Sequence, residues 1–206
     1  MYLVGITGQI ASGKTCVARM YKEMGAFLID ADKIGHELLK DSEIKKQLIK
    51  EFGEDILDDD NEVIRDELAA KVFSSSDNLE AINKIMSKRI VSEIREVIAE
   101  LQENRFPGIV VIDAALFPKW DIVKAMDIVI LIEAPKWQRL NRLVRQRGLT
   151  PEDSNIRIDV QEELFKEFYP RQTIVVNNNG DFVSLRVRAM SAWLEIKDKV
   201  KEKASK

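Results

Sequence analysis

Gly8-Gln9-Ile10-Ala11-Ser12-Gly13-Lys14-Thr15 is a complete GxxxxGK[ST] stretch. Its flanks supply the context such a stretch needs. Tyr2-Leu3-Val4-Gly5-Ile6-Thr7 is a short apolar, β-branched run with the pattern of a buried strand, and residues 15–24 read as a helix that stops at Gly25. Strand, glycine turn and helix together make a phosphate-binding loop. Gly8 and Gly13 permit turns and close approaches that a side chain would block. Loop amides and the helix N-terminus then turn partial positive charge toward phosphates. The nucleotide contacts expected of the loop are Gly8, Ala11, Ser12, Gly13, Lys14, Thr15 and Cys16. Lys14 is expected to reach the β and γ phosphates and the Thr15 hydroxyl to ligate Mg²⁺.

A chain of 206 residues accommodates one sizeable domain, or one domain with an insertion. The net charge of −3 supplies no overall field for nucleic acid or an anionic membrane. Cys16 is the only cysteine, which forbids an intramolecular disulfide and fits a reducing, cytoplasmic setting. The first apolar run is short and lacks a basic leader, so no signal peptide is expected. No run approaches the roughly 18 apolar residues of a membrane span. No pattern specifies an oligomeric state.

Further buried-strand patterns occur at residues 26–30, at 109–113 after Pro107-Gly108, at 127–132 before Ala134-Pro135, and at 173–177 before Asn178-Asn179-Gly180. These runs are continuously apolar, as strands covered on both faces should be. Helical patterns separate them, so the expected fold is α/β: a three-layer, doubly wound, parallel five-stranded sheet. A last helix begins near Phe182 and carries Leu185, Met190, Trp193, Leu194 and Val200. Residues 31–108 are far too many for one crossover. Within them Leu79, Ile82, Met86, Ile90, Ile94, Val97, Ile98 and Leu101 form one apolar stripe on a long helix or a broken pair. The expected organisation is a nucleotide-binding core of residues 1–31 and 103–206 with a helical insertion at 32–102. That insertion follows a strand end, where ligands of α/β folds bind, so it suits a phosphoryl acceptor; a purely structural cap is the alternative.

Asp30-Ala31-Asp32 follows the second strand, where a carboxylate could take a proton from an acceptor hydroxyl. Asp32 could equally cap the next helix. Asp113 closes a run of four apolar residues and resembles a Mg²⁺-holding position, direct or through water. Ala114 follows it, so the second acid of hydrolytic ATPases is missing and transfer to a bound acceptor is favoured. Lys136, Arg139, Arg142, Arg145 and Arg147 share a predicted helix without intervening acids, and with the Gly148-Leu149-Thr150-Pro151 turn they suggest a lid over residues 136–160. A solvated basic face or an RNA-binding stripe is the competing reading. His36 reads as a surface or packing residue, Asp58-Asp59-Asp60-Asn61-Glu62 as a solvated turn, and Trp120, Trp137 and Trp193 as packing anchors.

These residues together resemble the dephospho-coenzyme A kinase family. The likeness runs through the phosphate loop, Gly25-Ala26-Phe27-Leu28-Ile29-Asp30-Ala31-Asp32, Phe52-Gly53-Glu54-Asp55-Ile56-Leu57, Arg65-Asp66-Glu67-Leu68, Val72-Phe73, Ile112-Asp113-Ala114-Ala115-Leu116-Phe117 and Asn177-Asn178-Asn179-Gly180-Asp181. The resemblance implies a P-loop kinase core with a helical acceptor domain and a lid. It implies Mg²⁺-dependent transfer of the ATP γ-phosphoryl group to the ribose 3′-hydroxyl of dephospho-coenzyme A, the last step of coenzyme A synthesis. By the same resemblance Lys14, Asp32 and Arg142 are catalytic, with Asp32 the base and Arg142 a lid arginine. Arg65, Leu116 and Phe117 join Asp32 in contacting the acceptor, and Asn177 and Asn179 lie near the adenine.

The chain departs from the family pattern at three places. Met86-Ser87 stands where His-Pro is usual, Gln146 stands where a second lid arginine is usual, and Gln161-Glu162-Glu163-Leu164 lacks the customary arginines, with Arg171 further on. These changes bear on acceptor affinity and the lid and leave the nucleotide site intact. The alternatives are a P-loop kinase for another small acceptor and a non-catalytic protein that binds ATP or coenzyme A. No Asn-Lys-x-Asp guanine signature supports a GTPase.

Overall fold

A computed structural model describes residues 1–170 and 172–205, so Arg171 lies outside the described residues. Strand β1 (Tyr2–Thr7) is buried along its whole length and pairs in parallel on both sides, Val4 standing opposite Val111 of β3 (Ile109–Asp113) and opposite Ile128 of β4 (Ile128–Glu133). With β2 (Phe27–Asp30) and β5 (Thr173–Asn177) at the edges, the order is β2-β3-β1-β4-β5 and every pairing is parallel. This is the expected five-stranded α/β sheet with flanking helices. Near-complete cover holds for the three central strands only, with Ile109 half-buried and Glu133 exposed at their ends. Phe27 and Val175 on the edge strands are 40% and 42% exposed, because an edge strand has a neighbour on one side alone.

The chain divides into two compact units, Met1–Asp30 with Gln102–Lys206, and Ala31–Leu101. In the first, alternate residues of β1 serve opposite faces of the sheet. Tyr2, Val4 and Ile6 join Val17 and Tyr21 of α1 (Lys14–Glu23) and Ala189 and Trp193 of α8 (Phe182–Ala204) in one core. The Tyr21 and Trp193 rings lie 4.9 Å apart. The Tyr21 hydroxyl donates to the Ala189 carbonyl at 3.0 Å, and burial pushes its pKa up. On the opposite face a Cβ at Gly5 would lie 3.0 Å from the Phe117 ring, so the missing side chain makes room for a fully buried phenylalanine. On α8 the buried residues are Leu185, Ala189, Ala192, Trp193 and Ile196, whereas Met190 and Leu194 are exposed. Trp120 and Trp193 are buried anchors as expected, but Trp137 is 62% exposed.

The second unit is helical: α2 (Ala31–Leu38), α3 (Ser42–Phe52), α4 (Arg65–Val72) and most of α5 (Ser76–Glu103). Asp41 caps α3 by accepting from the Glu43 and Ile44 amides at 2.9 and 3.0 Å, and these bonds hold its carboxyl below the usual range. Asp58 accepts from the Asp60 and Glu62 amides, which confirms the acidic run as a turn. The apolar stripe forms one unbroken 28-residue helix, α5, that buries Met86, Ile90, Val91, Ile94 and Ile98. Met86-Ser87 lies inside it, where a proline would remove a backbone donor and clash with the preceding turn. Among the described residues no helix is long and apolar enough to cross a membrane.

Candidate functional site

The loop that joins β1 to α1 is shaped by what surrounds it. A Cβ at Gly8 would lie 2.4 Å from the Ile132 carbonyl oxygen and 2.6 Å from Ser12 Oγ. Gly13 has φ +103 and precedes the first residue of α1 in a left-handed conformation; a Cβ there would lie 2.4 Å from Asn178 Nδ2. That amide cannot easily yield, because it donates to the Ser12 carbonyl at 2.7 Å while the Asn178 backbone donates to Glu133 at 2.6 Å. Gly13→Ala should therefore cost about 1–3 kcal/mol in backbone strain alone and weaken nucleotide binding more than it lowers the melting temperature. A titration of ATP against the variant checks this, and wild-type affinity would contradict it.

Lys14, the first residue of α1, places Nζ 3.6 Å from the Asp113 carboxylate at the end of β3. Asp113 is almost completely buried, stands opposite Ile6 in the β1–β3 register and opposite Asp30 in the β2–β3 register. Thr15 follows Lys14 in the first turn of α1. Ser12 Oγ and Thr7 Oγ1 are buried without a hydrogen-bond partner among the described residues, which marks this end of the sheet as a place prepared for polar atoms. A threonine hydroxyl and a carboxylate are the hard oxygen donors that Mg²⁺ takes alongside water and phosphate oxygens. No group of three or more His, Cys, Asp or Glu side chains that could cage a metal occurs among the described residues.

The basic stripe resolves into residues with different tasks. It lies on α6 (Lys136–Arg147), which ends at Gly148 and is followed by α7 (Pro151–Phe165), capped by the Thr150 hydroxyl. Arg139 is only 2% exposed and donates to Glu162 at 2.6 Å and to the Ala134 carbonyl at 3.1 Å. Lys136 pairs with Asp159. These two cations join α6 to α7, Arg139 from a buried position and Lys136 from an exposed one; Arg145 and Arg147 are exposed as well. Arg142 donates to the carbonyls of Ala11 (2.9 Å), Ser12 (3.3 Å) and Asn178 (3.3 Å), with Gln138 also within 3.3 Å. It thus braces the carbonyl edge of the loop, and burial lowers its pKa from the ordinary value.

A cavity of about 430 Å³ opens beside the loop and is lined by Gln9, Glu133, Pro135, Tyr169, Asn177 and Asn179 among others. Asn177 and Asn179 are fixed by Arg188, which donates to the Asn177 carbonyl and the Asn179 side chain. The asparagine that touches the loop is Asn178, which motif reading passed over. Cys16 is half-buried on α1, and burial pushes its thiol pKa up. Leu116 is half-buried and retains a face toward solvent, but Phe117 is fully buried against the sheet and serves the core where an acceptor contact was expected. In the helical unit, Asp32 is exposed in the first turn of α2, which continues directly from β2. It is the second helical residue, beyond the capping position that was its alternative reading. Arg65 is the exposed first residue of α4, and His36 is exposed on α2.

A profile of the dephospho-CoA kinase family matches residues 2–183. A dephospho-CoA kinase of Dehalococcoides mccartyi is 36% identical over 186 residues, covering 90% of this chain and 93% of that protein. One from Corynebacterium efficiens is 34% identical over 204 residues, covering 98% of this chain and all of that protein. Among solved structures, a Thermus thermophilus protein superposes with a TM-score of 0.71 at 26% identity, covering 94% of this chain and 96% of its own.

Proposed function

Because the chain belongs to the dephospho-CoA kinase family, we propose that it transfers the γ-phosphoryl group of ATP to the ribose 3′-hydroxyl of dephospho-coenzyme A, giving coenzyme A and ADP in the last step of coenzyme A synthesis. The observation that carries the donor half is Lys14 beside the buried Asp113 at the mouth of a glycine loop.

The γ-phosphorus bond to the ADP oxygen breaks as a bond to the ribose 3′-oxygen forms, and the hydroxyl proton passes to the Asp32 carboxylate. Lys14 offsets the charge that shifts toward the β and γ oxygens. Thr15 and Asp113 would hold Mg²⁺, Asp113 directly or through water; when bound, the ion neutralises phosphate charge and orients the triphosphate. Arg142 adds fixed positive charge from the loop's flank. Asn177 and Asn179 belong to the adenine end, while Arg65 and Leu116 contact the acceptor. The single cysteine accords with a cytoplasmic location.

The deciding experiment is a coupled ADP-release assay. Turnover should require both dephospho-coenzyme A and Mg²⁺ and should stop when EDTA is added. Phosphorylation of nucleosides or nucleoside monophosphates, with dephospho-coenzyme A inert, would reassign the acceptor.

A further inference from the structure

The Ile10 amide, inside the phosphate loop, donates to the side-chain oxygen of Gln161 at 2.5 Å, a contact between residues 151 apart in the chain. Gln161 lies on α7, the helix that follows α6. We propose that Gln161 is a positioning residue that holds the phosphate loop in its triphosphate-binding shape.

The loop needs such support. Ala11 has φ +58, a left-handed conformation that a residue with a Cβ adopts at a cost. The strained residue is held from both sides: Arg142 takes the Ala11 and Ser12 carbonyls, and Gln161 takes the amide of Ile10 just before it. Both anchors belong to one hairpin, since Arg139–Glu162 and Lys136–Asp159 tie α6 to α7. The α6–α7 pair therefore grips the donor edge and the acceptor edge of the loop together. A loop set in advance spends less binding free energy on ordering itself around a ligand.

The choice of glutamine has its own reason. Residues 162 and 163 are both glutamates, and a carboxylate at 161 could accept the same bond. It would also place a negative charge against a loop that receives a polyanion. The amide oxygen supplies the acceptor without the charge.

The proposal rests on the loop being the ATP site, and two variants separate the two ideas. Gln161→Met keeps the length and removes the acceptor. In the nucleotide-free protein its Ile10 amide should exchange faster with deuterium than in wild type, and the Kd for ATP should rise about 2- to 12-fold, the range set by one hydrogen bond. The KM for dephospho-coenzyme A should not change. Gln161→Glu keeps the acceptor, so Ile10 should stay protected while ATP binding weakens at low salt and recovers at high salt. Unchanged Ile10 exchange in Gln161→Met overturns the proposal, as does lost protection with unchanged ATP affinity. Failure of the wild-type protein to bind ATP would instead remove the functional reading of the loop.

Discussion

Replacing Asp32 with asparagine should lower kcat by about 10²- to 10⁴-fold, the range for removal of a general base, while ATP affinity stays near that of wild type. Asparagine has the same shape and can still hydrogen-bond, but its amide cannot take the acceptor's proton. Asp32 is the second residue of α2 and is exposed, so the near-isosteric change leaves the helix and its buried face as they are. Steady-state kinetics at saturating ATP and dephospho-coenzyme A, paired with an ATP titration, give the two numbers needed. Near-normal turnover would end its assignment as the base. A parallel loss of ATP binding would mean that Asp32 acts on the donor.

Lys14→Met should reduce kcat/KM for ATP by about 10²- to 10³-fold, the scale for losing one preorganised charge donor at the transferring group. Two effects combine. The phosphates lose their nearest loop cation, and Asp113 loses the ammonium that now lies 3.6 Å away. Lys14→Arg should restore little, because a planar guanidinium fork cannot occupy the same space as a compact ammonium on a flexible stem. Affinity for dephospho-coenzyme A, read by calorimetry without ATP, should remain intact. If it falls with that for ATP, the defect is in folding, and thermal denaturation would reveal it.

The parts of the molecule legible beforehand are those governed by short-range rules. The central strands are short, mostly apolar and β-branched runs, and the loop carries its own spacing, so β1, β3, β4 and the turn into α1 follow from local pattern. The α5 stripe was equally visible, although only the structure shows that Met86-Ser87 sits within one continuous helix. What escaped depends on partners far along the chain. Both stretches could be picked out by motif, but nothing local names the partner of Asn178 or Gln161, which reach Ser12 and Ile10 across 166 and 151 residues. Arg139 looked like one more lid cation because Glu162, its partner, lies on the next helix. Phe117 was expected at the acceptor by resemblance to the family alone, and the absent side chain of Gly5 explains the room it has against the sheet. Periodicity reports which face of an element is apolar; it does not report which long-range polar group will meet it.

Strand β1 occupies the middle of the sheet although it comes first in the chain, and both of its neighbours lie beyond residue 108. During synthesis it must wait, apolar and unpaired, for partners that do not yet exist. The phosphate loop waits longer still, since its Ser12 carbonyl is met by Asn178. A nascent chain of this protein thus carries its most recognisable motif long before Asn178, which completes the motif's surroundings, has been made. Such non-local pairing slows folding and lengthens the exposure of a hydrophobic strand. Truncated translation products of this chain should be more prone to aggregate than to bind nucleotide.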